Sequence, residues 1–324
     1  TAVLDGDGDP ALAACLDRRG AWPRAVGDAW RAVHRDEIPG LPAAIDIYGT
    51  RYNAVWFDEE ADPAPLAAVL DELVARLGLV GGVVRVHRRN PHQRGLKEEV
   101  AVRGDVPETF AVTEHGLTYA INLRSTQHTG LFPDQRDTRR RVARIAAGRR
   151  VGNLFAFTCS FSVAAVAAGA EVAFSVDTAR SCLETGKANF AGNGLADAGR
   201  GKFIQEDARR WLARQQRRRE EDPDAWQPLD LLVCDPPVFA SGKEGRFAVE
   251  KEWAGLARAG AELLGPDGVA VFANNHRTGD HARYRRQLQA VFGRVTDLRP
   301  PLDFPVLAGR PHHVRTFWCE DPRA

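Results

Sequence analysis

The chain has 324 residues, of which 44% are hydrophobic and 27% charged, and its formal net charge is +1. This length accommodates one large domain with a smaller one, or two domains of ordinary size. The near-neutral charge excludes nucleic-acid binding driven by the whole chain, so any such binding must rest on local patches. No apolar run reaches the roughly 18 residues that a membrane span needs, and the acidic start "TAVLDGDGDP" has no signal-peptide pattern.

The number and spacing of the cysteines indicate whether the chain binds a metal and in which cellular compartment it is found. The five cysteines are scattered, and no pair has the C-x-x-C spacing of a metal site. We therefore expect no metal, reduced thiols and a cytoplasmic location.

The first part of the chain predicts two segments. Residues 1–40 have a helical and loop pattern, and residues 41–125 predict a small α+β domain with strands such as "AAIDIYG" and "YNAVWF". The stretch "DPAPLAAVLDELVARLG" predicts an amphipathic helix that Asp62 caps and Gly78 ends. A hairpin is predicted around "EHG".

Residues 126–324 form the third predicted segment, in which strands alternate with helices from Val151 onward. The first five predicted strands are "VGNLFAF", "EVAFSV", "KFIQE", "PLDLLVC" and "GVAVFAN". Such alternation is typical of an α/β fold with a parallel sheet covered on both faces. Ligands of such sheets bind at the carboxyl ends of the strands, near the point where the strand order reverses.

Polar residues follow the first four of these strands. The loop "FTCS" ends strand one, and Asp177, Asp207 and Asp235 follow strands two, three and four. Asp177 lies about 20 residues into the β-α-β unit, where nucleotide-binding sheets place a carboxylate against ribose hydroxyls. The alternative role for each aspartate is a helix N-cap, which aspartate also favours.

The loop "NLFAFTCSFS" indicates the kind of cofactor. It lacks the G-x-G-x-x-G fingerprint, which argues against a dinucleotide with a pyrophosphate. A cofactor without phosphate, such as S-adenosylmethionine, needs a tight loop of small residues rather than a helix N-terminus aimed at an anion. Thr158, Cys159 and Ser160 are small enough for such a loop.

The stretch "DPPVF" is the most specific motif. Two prolines fix the backbone and remove two donors, which leaves rigidly held carbonyl acceptors. Asp235 and the Pro236 carbonyl can hold an amino group or a base edge, and Phe239 can stack on that base. The alternative is a plain turn that ends the strand.

D-P-P with a following aromatic residue resembles motif IV of class I S-adenosylmethionine-dependent methyltransferases. Six stretches resemble, in order and spacing, the bacterial large-subunit (23S) rRNA methyltransferases that make 5-methylcytosine or 7-methylguanine. They are "TGLFPDQRDTRR", "NLFAFTCSFSVAAVAAGA", "SVDTARSCLETGKANFAGNGL", "FIQEDARRWL", "LDLLVCDPPVFA" and "FANNHR". The resemblance spans residues 36–319 and implies a Rossmann-like seven-stranded sheet preceded by a smaller α+β domain. It also implies S-adenosylmethionine as cofactor and large-subunit rRNA as partner.

The resemblance also implies roles for individual residues. Asp177 would bind the cofactor ribose, Asp207 would lie near the adenine, residues 153–160 would surround the methionine part, and "LFPDQR" would close over the cofactor. The cofactor-binding set so implied is Phe132, Asp134, Arg136, Asn153, Phe155, Thr158, Ser160, Asp177, Asn193, Asp207 and Asp235. The catalytic set is Asp235, Pro236, Phe239 and Asn274.

One position departs from the family pattern, because relatives usually have glycine where Cys159 stands. If that position needs a positive φ, cysteine is costly there. A degenerate cofactor-binding module therefore stays an alternative to an enzyme.

The methylated atom depends on cysteine placement. Methylation of cytosine C5 needs a thiolate, which in the cytosine enzymes follows strand five, and Asn274 stands at that position here. Cys234 is predicted to be a core residue, because side chains alternate along a strand and its neighbour Asp235 faces the substrate. "FANNHR" resembles the 7-methylguanine enzymes, so guanine N7 is favoured. Exocyclic amines of RNA and small-molecule substrates are the alternatives.

Two basic runs are candidates for RNA contact, one from Arg85 to Lys97 in the α+β domain and one from Arg136 to Arg150. The alternative for each is a solvated face. The first 35 residues are too short for the RNA-binding PUA domain of many relatives, so RNA affinity would come from elsewhere. His312 and His313 are predicted to be structural.

Overall fold

The computed structural model describes most of the chain. The described residues are 9–20, 26–89, 96–125, 128–196, 199–242, 245–276, 279–307 and 314–323. His312 and His313 lie outside them, as do residues 90–95 of the first basic run. The chain divides into two compact units, Thr1–Asp134 with Pro301–Pro305, and Gln135–Pro300 with Val306–Ala324.

The first unit contains a five-stranded sheet. Its elements are α1 (Pro10–Arg19), β1 (Ala29–Val33), β2 (Ala43–Tyr48), β3 (Arg51–Trp56), α2 (Ala64–Leu77), β4 (Gly81–Arg89), β5 (Leu96–Gly104), β6 (Phe110–Glu114) and β7 (Leu117–Ile121). The sheet runs β1-β2-β3-β4-β5, and β6 and β7 form a separate hairpin. The predicted α+β character is present, but β1 falls within residues 1–40, where only helix and loop were predicted.

Helix α2 illustrates how the sequence determines the first unit. Its buried residues, Leu66, Val69, Leu70 and Leu73, recur at helical spacing and cover the sheet. Gly78 ends the helix in the left-handed conformation, as predicted. Asp62 is not the N-cap, because Pro63 occupies that position. The Asp62 carboxylate still accepts the Ala64 N–H at 3.0 Å.

The segment Pro301–Pro305 belongs to the first unit although it connects two strands of the second. The buried Asp303 carboxylate accepts the backbone N–H of Arg31 at 2.9 Å. The backbone carbonyl of Asp303 accepts from the Arg19 guanidinium at 3.3 Å. The Arg31 guanidinium lies 4.4 Å from the Phe304 ring centroid and pairs with Asp46 at 2.7 Å. The segment Pro301–Pro305, far along the chain, therefore contributes residues to the interior of the first unit.

The second unit contains a seven-stranded sheet. Its elements are α3 (Arg136–Ile145), β8 (Arg150–Leu154), α4 (Ser160–Ala167), β9 (Val172–Asp177), α5 (Arg180–Gly192), β10 (Gly201–Gln205), α6 (Ala208–Glu221), β11 (Leu229–Cys234), β12 (Phe239–Gly242), β13 (Gly245–Ala248), α7 (Val249–Glu262), β14 (Leu264–Asn274), α8 (His281–Gln289), β15 (Phe292–Leu298) and β16 (Arg315–Pro322). The order is β10-β9-β8-β11-β14-β16-β15. This confirms the predicted α/β fold with a seven-stranded sheet.

The first five strands of this sheet are parallel, and β16 is antiparallel to both of its neighbours. The core on one face of the sheet includes Trp253, Phe272 and Phe317 around Cys234, all nearly inaccessible to solvent. The strand order reverses between β8 and β11, so their carboxyl ends border the crevice where such sheets bind ligands.

Candidate active site

The candidate site lies at the carboxyl ends of the parallel strands of the second unit. Leu154 of β8 pairs with Val176 of β9 and with Cys234 of β11, and Cys234 pairs with Phe272 of β14. Because parallel strands end at one edge, the residues that follow these four positions share a rim. The structure thus brings together the regions of Phe155, Asp177, Asp235 and Asn274.

The loop after β8, residues 155–159, has an unusual backbone. We call it the β8 loop. Phe155, Phe157 and Cys159 adopt φ values of 55°, 50° and 61°. Non-glycine residues rarely occupy this region, and each such residue costs of order 1–3 kcal/mol unless its surroundings compensate. The condition under which cysteine is costly at position 159, a positive φ, is therefore met.

Hydrogen bonds from two elements, β9 and α5, hold the β8 loop in place. The Asp177 carboxylate accepts the Phe157 N–H at 2.8 Å. Asn189 of α5 donates to the Thr158 carbonyl at 2.9 Å, and Thr158 itself is fully buried. The Ala156 N–H donates to the Val176 carbonyl at 3.0 Å. These contacts account for a strained loop that keeps one shape.

Asn153 and Ser160 flank the same loop. The buried Asn153 amide donates to the Ser162 hydroxyl at 2.9 Å, and Ser175 of β9 donates to that hydroxyl at 2.8 Å. Ser160 begins α4 and is 8% exposed. Asn153, Ser162 and Ser175 thus form a buried polar network that joins β8, α4 and β9 next to the loop.

Asp177 combines a structural role with capacity for a ligand. Its second oxygen accepts the Ala179 N–H at 2.8 Å. Ala179, rather than Asp177, is the N-cap of α5. An ionised carboxylate offers about four acceptor positions, so two backbone bonds leave room for ribose hydroxyls. The residue fits the predicted contact with S-adenosylmethionine.

Asp207 and Asn193 are engaged locally. Asp207 is the N-cap of α6, and its carboxylate accepts the N–H and the guanidinium of Arg209 at 2.8 to 3.0 Å. Those side-chain hydrogen bonds lower the pKa of the Asp207 carboxyl. Asn193 donates to the Asn189 carbonyl at 2.7 Å at the end of α5. Asp207 therefore has the N-cap role that the sequence left as an alternative. Its carboxylate can accept fewer additional hydrogen bonds than that of Asp177.

The loop after β11, residues 235–238, has a different construction. We call it the β11 loop. Asp235 is half-buried, Pro236 is buried and Pro237 is exposed. Phe239, which begins β12, is 71% exposed. The exposed Phe239 ring is accessible to a base, and its stacking role stays a prediction.

Cys234 is the buried residue that the alternation of the strand predicted. It is inaccessible to solvent within the core, and burial raises the pKa of its thiol well above the ordinary value, with the nearby Asp235 charge adding to the effect. A neutral, inaccessible thiol is not a nucleophile.

Asn274 ends β14 and is fully buried. Its side-chain oxygen Oδ1 accepts the His276 N–H at 3.2 Å, while its Nδ2 has no hydrogen-bond partner among the described residues. His276 Nδ1 lies 2.8 Å from the Tyr284 hydroxyl, and the His276 ring lies edge-on to Phe239 at 6.3 Å between centroids. His276 was not predicted, because its contacts with Tyr284 and Phe239 depend on how separate elements pack.

A second aromatic residue missed by the sequence reasoning is Phe247, on the short hairpin of β12 and β13. Its buried ring lies 5.4 Å from that of Phe155 in the β8 loop, and the Arg209 guanidinium lies 5.6 Å from it. The hairpin that begins with Phe239 is therefore packed against the β8 loop. Strands of four residues are too short to give an alternating pattern, so no local signal marks this contact.

The remaining predicted residues lie near the junction of the two units in sequence. Phe132 and Asp134 belong to the first unit, with Phe132 49% exposed and Asp134 half-buried. Arg136 begins α3 of the second unit and is fully buried.

In the part of the chain that the structure describes, neither a cluster of metal-ligating side chains nor a membrane-spanning helix is found. That part contains no group of three or more His, Cys, Asp or Glu side chains placed to hold a metal ion. Within the same residues, no helix is both long enough and apolar enough to cross a membrane.

Comparison with known proteins gives the class. Residues 82–283 match the family model of S-adenosylmethionine-dependent methyltransferases. The solved structure of SMU.776, a candidate methyltransferase complexed with SAH, superposes with a TM-score of 0.81 at 25% identity, covering 96% of this chain and 80% of that one. The chain belongs to the S-adenosylmethionine-dependent methyltransferase family, and its cofactor is S-adenosylmethionine.

Two curated relatives have more specific names. The chain is 35% identical over 266 residues to ribosomal RNA large subunit methyltransferase K of Neisseria meningitidis serogroup B. The matched region covers 79% of this chain and 72% of the Neisseria protein. It is 30% identical over 292 residues to ribosomal RNA large subunit methyltransferase K/L of Pseudomonas paraeruginosa, covering 87% of this chain. That match spans only 38% of the Pseudomonas protein.

Proposed function

We propose that this protein transfers the methyl group of S-adenosylmethionine to a base of large-subunit rRNA, with guanine N7 as the favoured atom. The observation that carries the proposal is the rim of the second unit. There, Asp235, the rigid Pro236 and the exposed Phe239 follow β11, Asn274 ends the adjacent strand β14, and Cys234 is buried. A ribosomal RNA substrate would place the activity in the cytoplasm.

The residues present fit the cofactor. The β8 loop has a fixed backbone, and the Asp177 carboxylate retains acceptor capacity beside it. When bound, S-adenosylmethionine supplies an electrophilic methyl group carried by a sulfonium. Asp177 would hold the ribose, and residues 153–160 would surround the methionine part.

Guanine N7 suits the side chains available at the rim. N7 carries an in-plane lone pair, so its methylation needs positioning and no covalent enzyme nucleophile. The product ring gains a positive charge and releases no proton at the reacting nitrogen. The Asp235 carboxylate would stabilise that charge as it develops, which a fixed group does most effectively in a partly desolvated site.

Methylation of cytosine C5 requires a thiolate close to the base. All five cysteines of the chain are buried. Cys234, the cysteine next to Asp235, has a strongly raised pKa because burial disfavours the thiolate. These observations favour a base atom that reacts without a cysteine.

The exposed part of α3 supports contact with RNA. Arg140, Arg141 and Arg144 are exposed on this helix, whereas Arg136 and Arg139 of the same basic run are buried. The proposed phosphate contacts of the second unit are therefore the three exposed arginines of α3.

The other basic run begins with a residue that has a structural role. The buried Arg85 donates to Asn53 at 3.0 Å and to the Leu123 carbonyl at 2.7 Å. Its guanidinium is thus engaged inside the first unit, and we do not include it among the proposed phosphate contacts.

The names of the relatives agree with this substrate class. The Neisseria and Pseudomonas proteins are named as large-subunit rRNA methyltransferases, and the chain covers more than two thirds of the former. An exocyclic amine is the second candidate, because the Asp235 carboxylate and Pro236 carbonyl could accept the protons of an amino group. Methylation of a small molecule and a degenerate cofactor-binding module are the third and fourth candidates.

Nucleoside mass spectrometry tests the proposal directly. Unmodified large-subunit rRNA is incubated with labelled S-adenosylmethionine and the protein, digested, and the labelled nucleoside identified. We expect 7-methylguanosine. Labelled 5-methylcytidine would contradict the roles given to Cys234 and Asn274, and an N-methylated exocyclic amine would select the second candidate. Failure to bind S-adenosylhomocysteine in calorimetry would support the degenerate module.

A further inference from the structure

The strained Cys159 lies directly against a glycine of the neighbouring helix. Gly186 is a buried residue of α5 with ordinary helical backbone. A Cβ built on Gly186 would lie 3.0 Å from the Cys159 Cβ and closer still to its Sγ. The cysteine side chain thus occupies the space that any other residue at position 186 would need.

The rest of this environment leaves Cys159 little freedom. Its side chain is fully buried, and its Sγ lies 3.7 Å from the Phe157 carbonyl. Burial raises the pKa of the thiol to about 12, so the group is a neutral, compact side chain at physiological pH. Its backbone is fixed at φ 61°, so the side chain cannot turn away by a change of backbone conformation without reshaping the β8 loop.

Without the Cys159 side chain, there would be space for a Cβ at position 186 of α5. The next atom from a Cβ on Gly186 is the Thr158 carbonyl carbon at 3.5 Å, an ordinary van der Waals distance. The clash at position 186 therefore comes from the cysteine side chain and not from the loop backbone. Glycine at one of the two positions is sufficient for helix and loop to approach.

We propose that Cys159 and Gly186 act as one complementary pair, in which Gly186 is a positioning residue for the cofactor loop. Gly186 admits the side chain at 159, and one turn of helix further on Asn189 holds the Thr158 carbonyl at 2.9 Å. The face of α5 that carries both residues sets where the β8 loop lies. This inference rests on the proposed contact of that loop with S-adenosylmethionine.

A double-mutant cycle tests the pair. Gly186→Ala, Cys159→Gly and the double variant are compared with the unmodified protein by calorimetry with S-adenosylhomocysteine and by thermal unfolding. We expect Gly186→Ala to weaken binding by roughly tenfold or more, and the double variant to bind within about threefold of the unmodified protein, as coupling between touching side chains predicts. Gly192→Ala on the same helix is the matched control, because its Cβ would meet nothing within 4 Å.

Rescue by Cys159→Gly is the result that a general destabilisation of α5 would not give. The inference is overturned if Gly186→Ala binds like the unmodified protein, or if the double variant is as impaired as Gly186→Ala alone. Should Gly186→Ala not fold, a folded double variant with near-normal affinity supports the pair, and an unfolded double variant overturns it. If the unmodified protein does not bind S-adenosylhomocysteine, the proposed function fails first and this inference with it.

Discussion

The two loops of the rim achieve a fixed shape by different physical means. The β8 loop has positive φ values at Phe155, Phe157 and Cys159, and hydrogen bonds from neighbouring elements keep it there. In the β11 loop, Pro236 and Pro237 restrict the backbone covalently. The first shape depends on its neighbours, whereas the second is largely local.

This difference predicts different mutational behaviour. Substitutions around the β8 loop should change cofactor binding even when they are outside it. Substitutions in the β11 loop should change methyl transfer or RNA binding and leave the cofactor site intact.

Asp235→Ala should have the largest effect on the reaction. Removing a charge placed against the reacting base should lower kcat by about 100-fold or more. Affinity for S-adenosylhomocysteine should stay within about twofold, because Asp177 and the β8 loop are untouched and we assign Asp235 to the substrate side, although the resemblance also placed it in the cofactor-binding set. Methyl transfer to rRNA and calorimetry measure the two quantities. Asp267→Ala, at an exposed position of β14, is the control, and unchanged turnover in Asp235→Ala would refute the role of the acid.

Asp177→Asn should have the opposite pattern. The amide can still accept one N–H, but its NH₂ would face either the Phe157 or the Ala179 N–H, which leaves a partly buried donor unpaired. We expect the Kd for S-adenosylhomocysteine to rise by about 10- to 100-fold, consistent with the cost of one unsatisfied group. Glu171→Gln, at an exposed position before β9, is the control. Unaltered affinity would remove Asp177 from the cofactor site.

Phe239→Ala should act on RNA alone. Its ring is 71% exposed, so the melting temperature should hardly change. Loss of a stacked base should raise KM for rRNA by roughly 5- to 100-fold. Phe239→Tyr should restore it, because the stacking surface is retained. A KM equal to that of the unmodified protein would show that no base stacks there.

Cys234→Ala should have the smallest effect on activity. Truncating this buried side chain should destabilise the protein by about 1 kcal/mol, in line with the loss of one buried group from a packed core. The thiol is neutral because burial raises its pKa, so kcat should not depend on it. Denaturant unfolding and rRNA methylation measure the two effects. Loss of turnover in a folded Cys234→Ala protein would revive a covalent mechanism.

Much of the second unit could be predicted from the sequence because its pattern is local. Short apolar strands alternate with helices from Val151, and the predicted strands correspond to those of the sheet. Cys234 could be assigned to the core from alternation alone. The contacts of His276 with Tyr284 and of Phe247 with Phe155 could not, because each depends on how separate elements pack against one another.

The strain in the β8 loop was only partly predictable. The glycine that relatives usually have at position 159 raised the question of a positive φ at Cys159, but nothing in the sequence raises it at Phe155 and Phe157. Strand β1 was missed as well, since "AWRAV" lies in a region punctuated by prolines. In both cases the deciding partners are distant in sequence.

The segment Pro301–Pro305 has a consequence for dissecting the protein. A fragment that ends at Asp134 would contain the five-stranded sheet but would lack the carboxylate that accepts the Arg31 N–H and the ring beside its guanidinium. A fragment that begins after Asp134 would in turn carry Asp303 and Phe304 without the arginines they contact. Proteolytic or recombinant separation at residue 134 therefore cannot give two intact modules, although the chain there passes from one unit to the other.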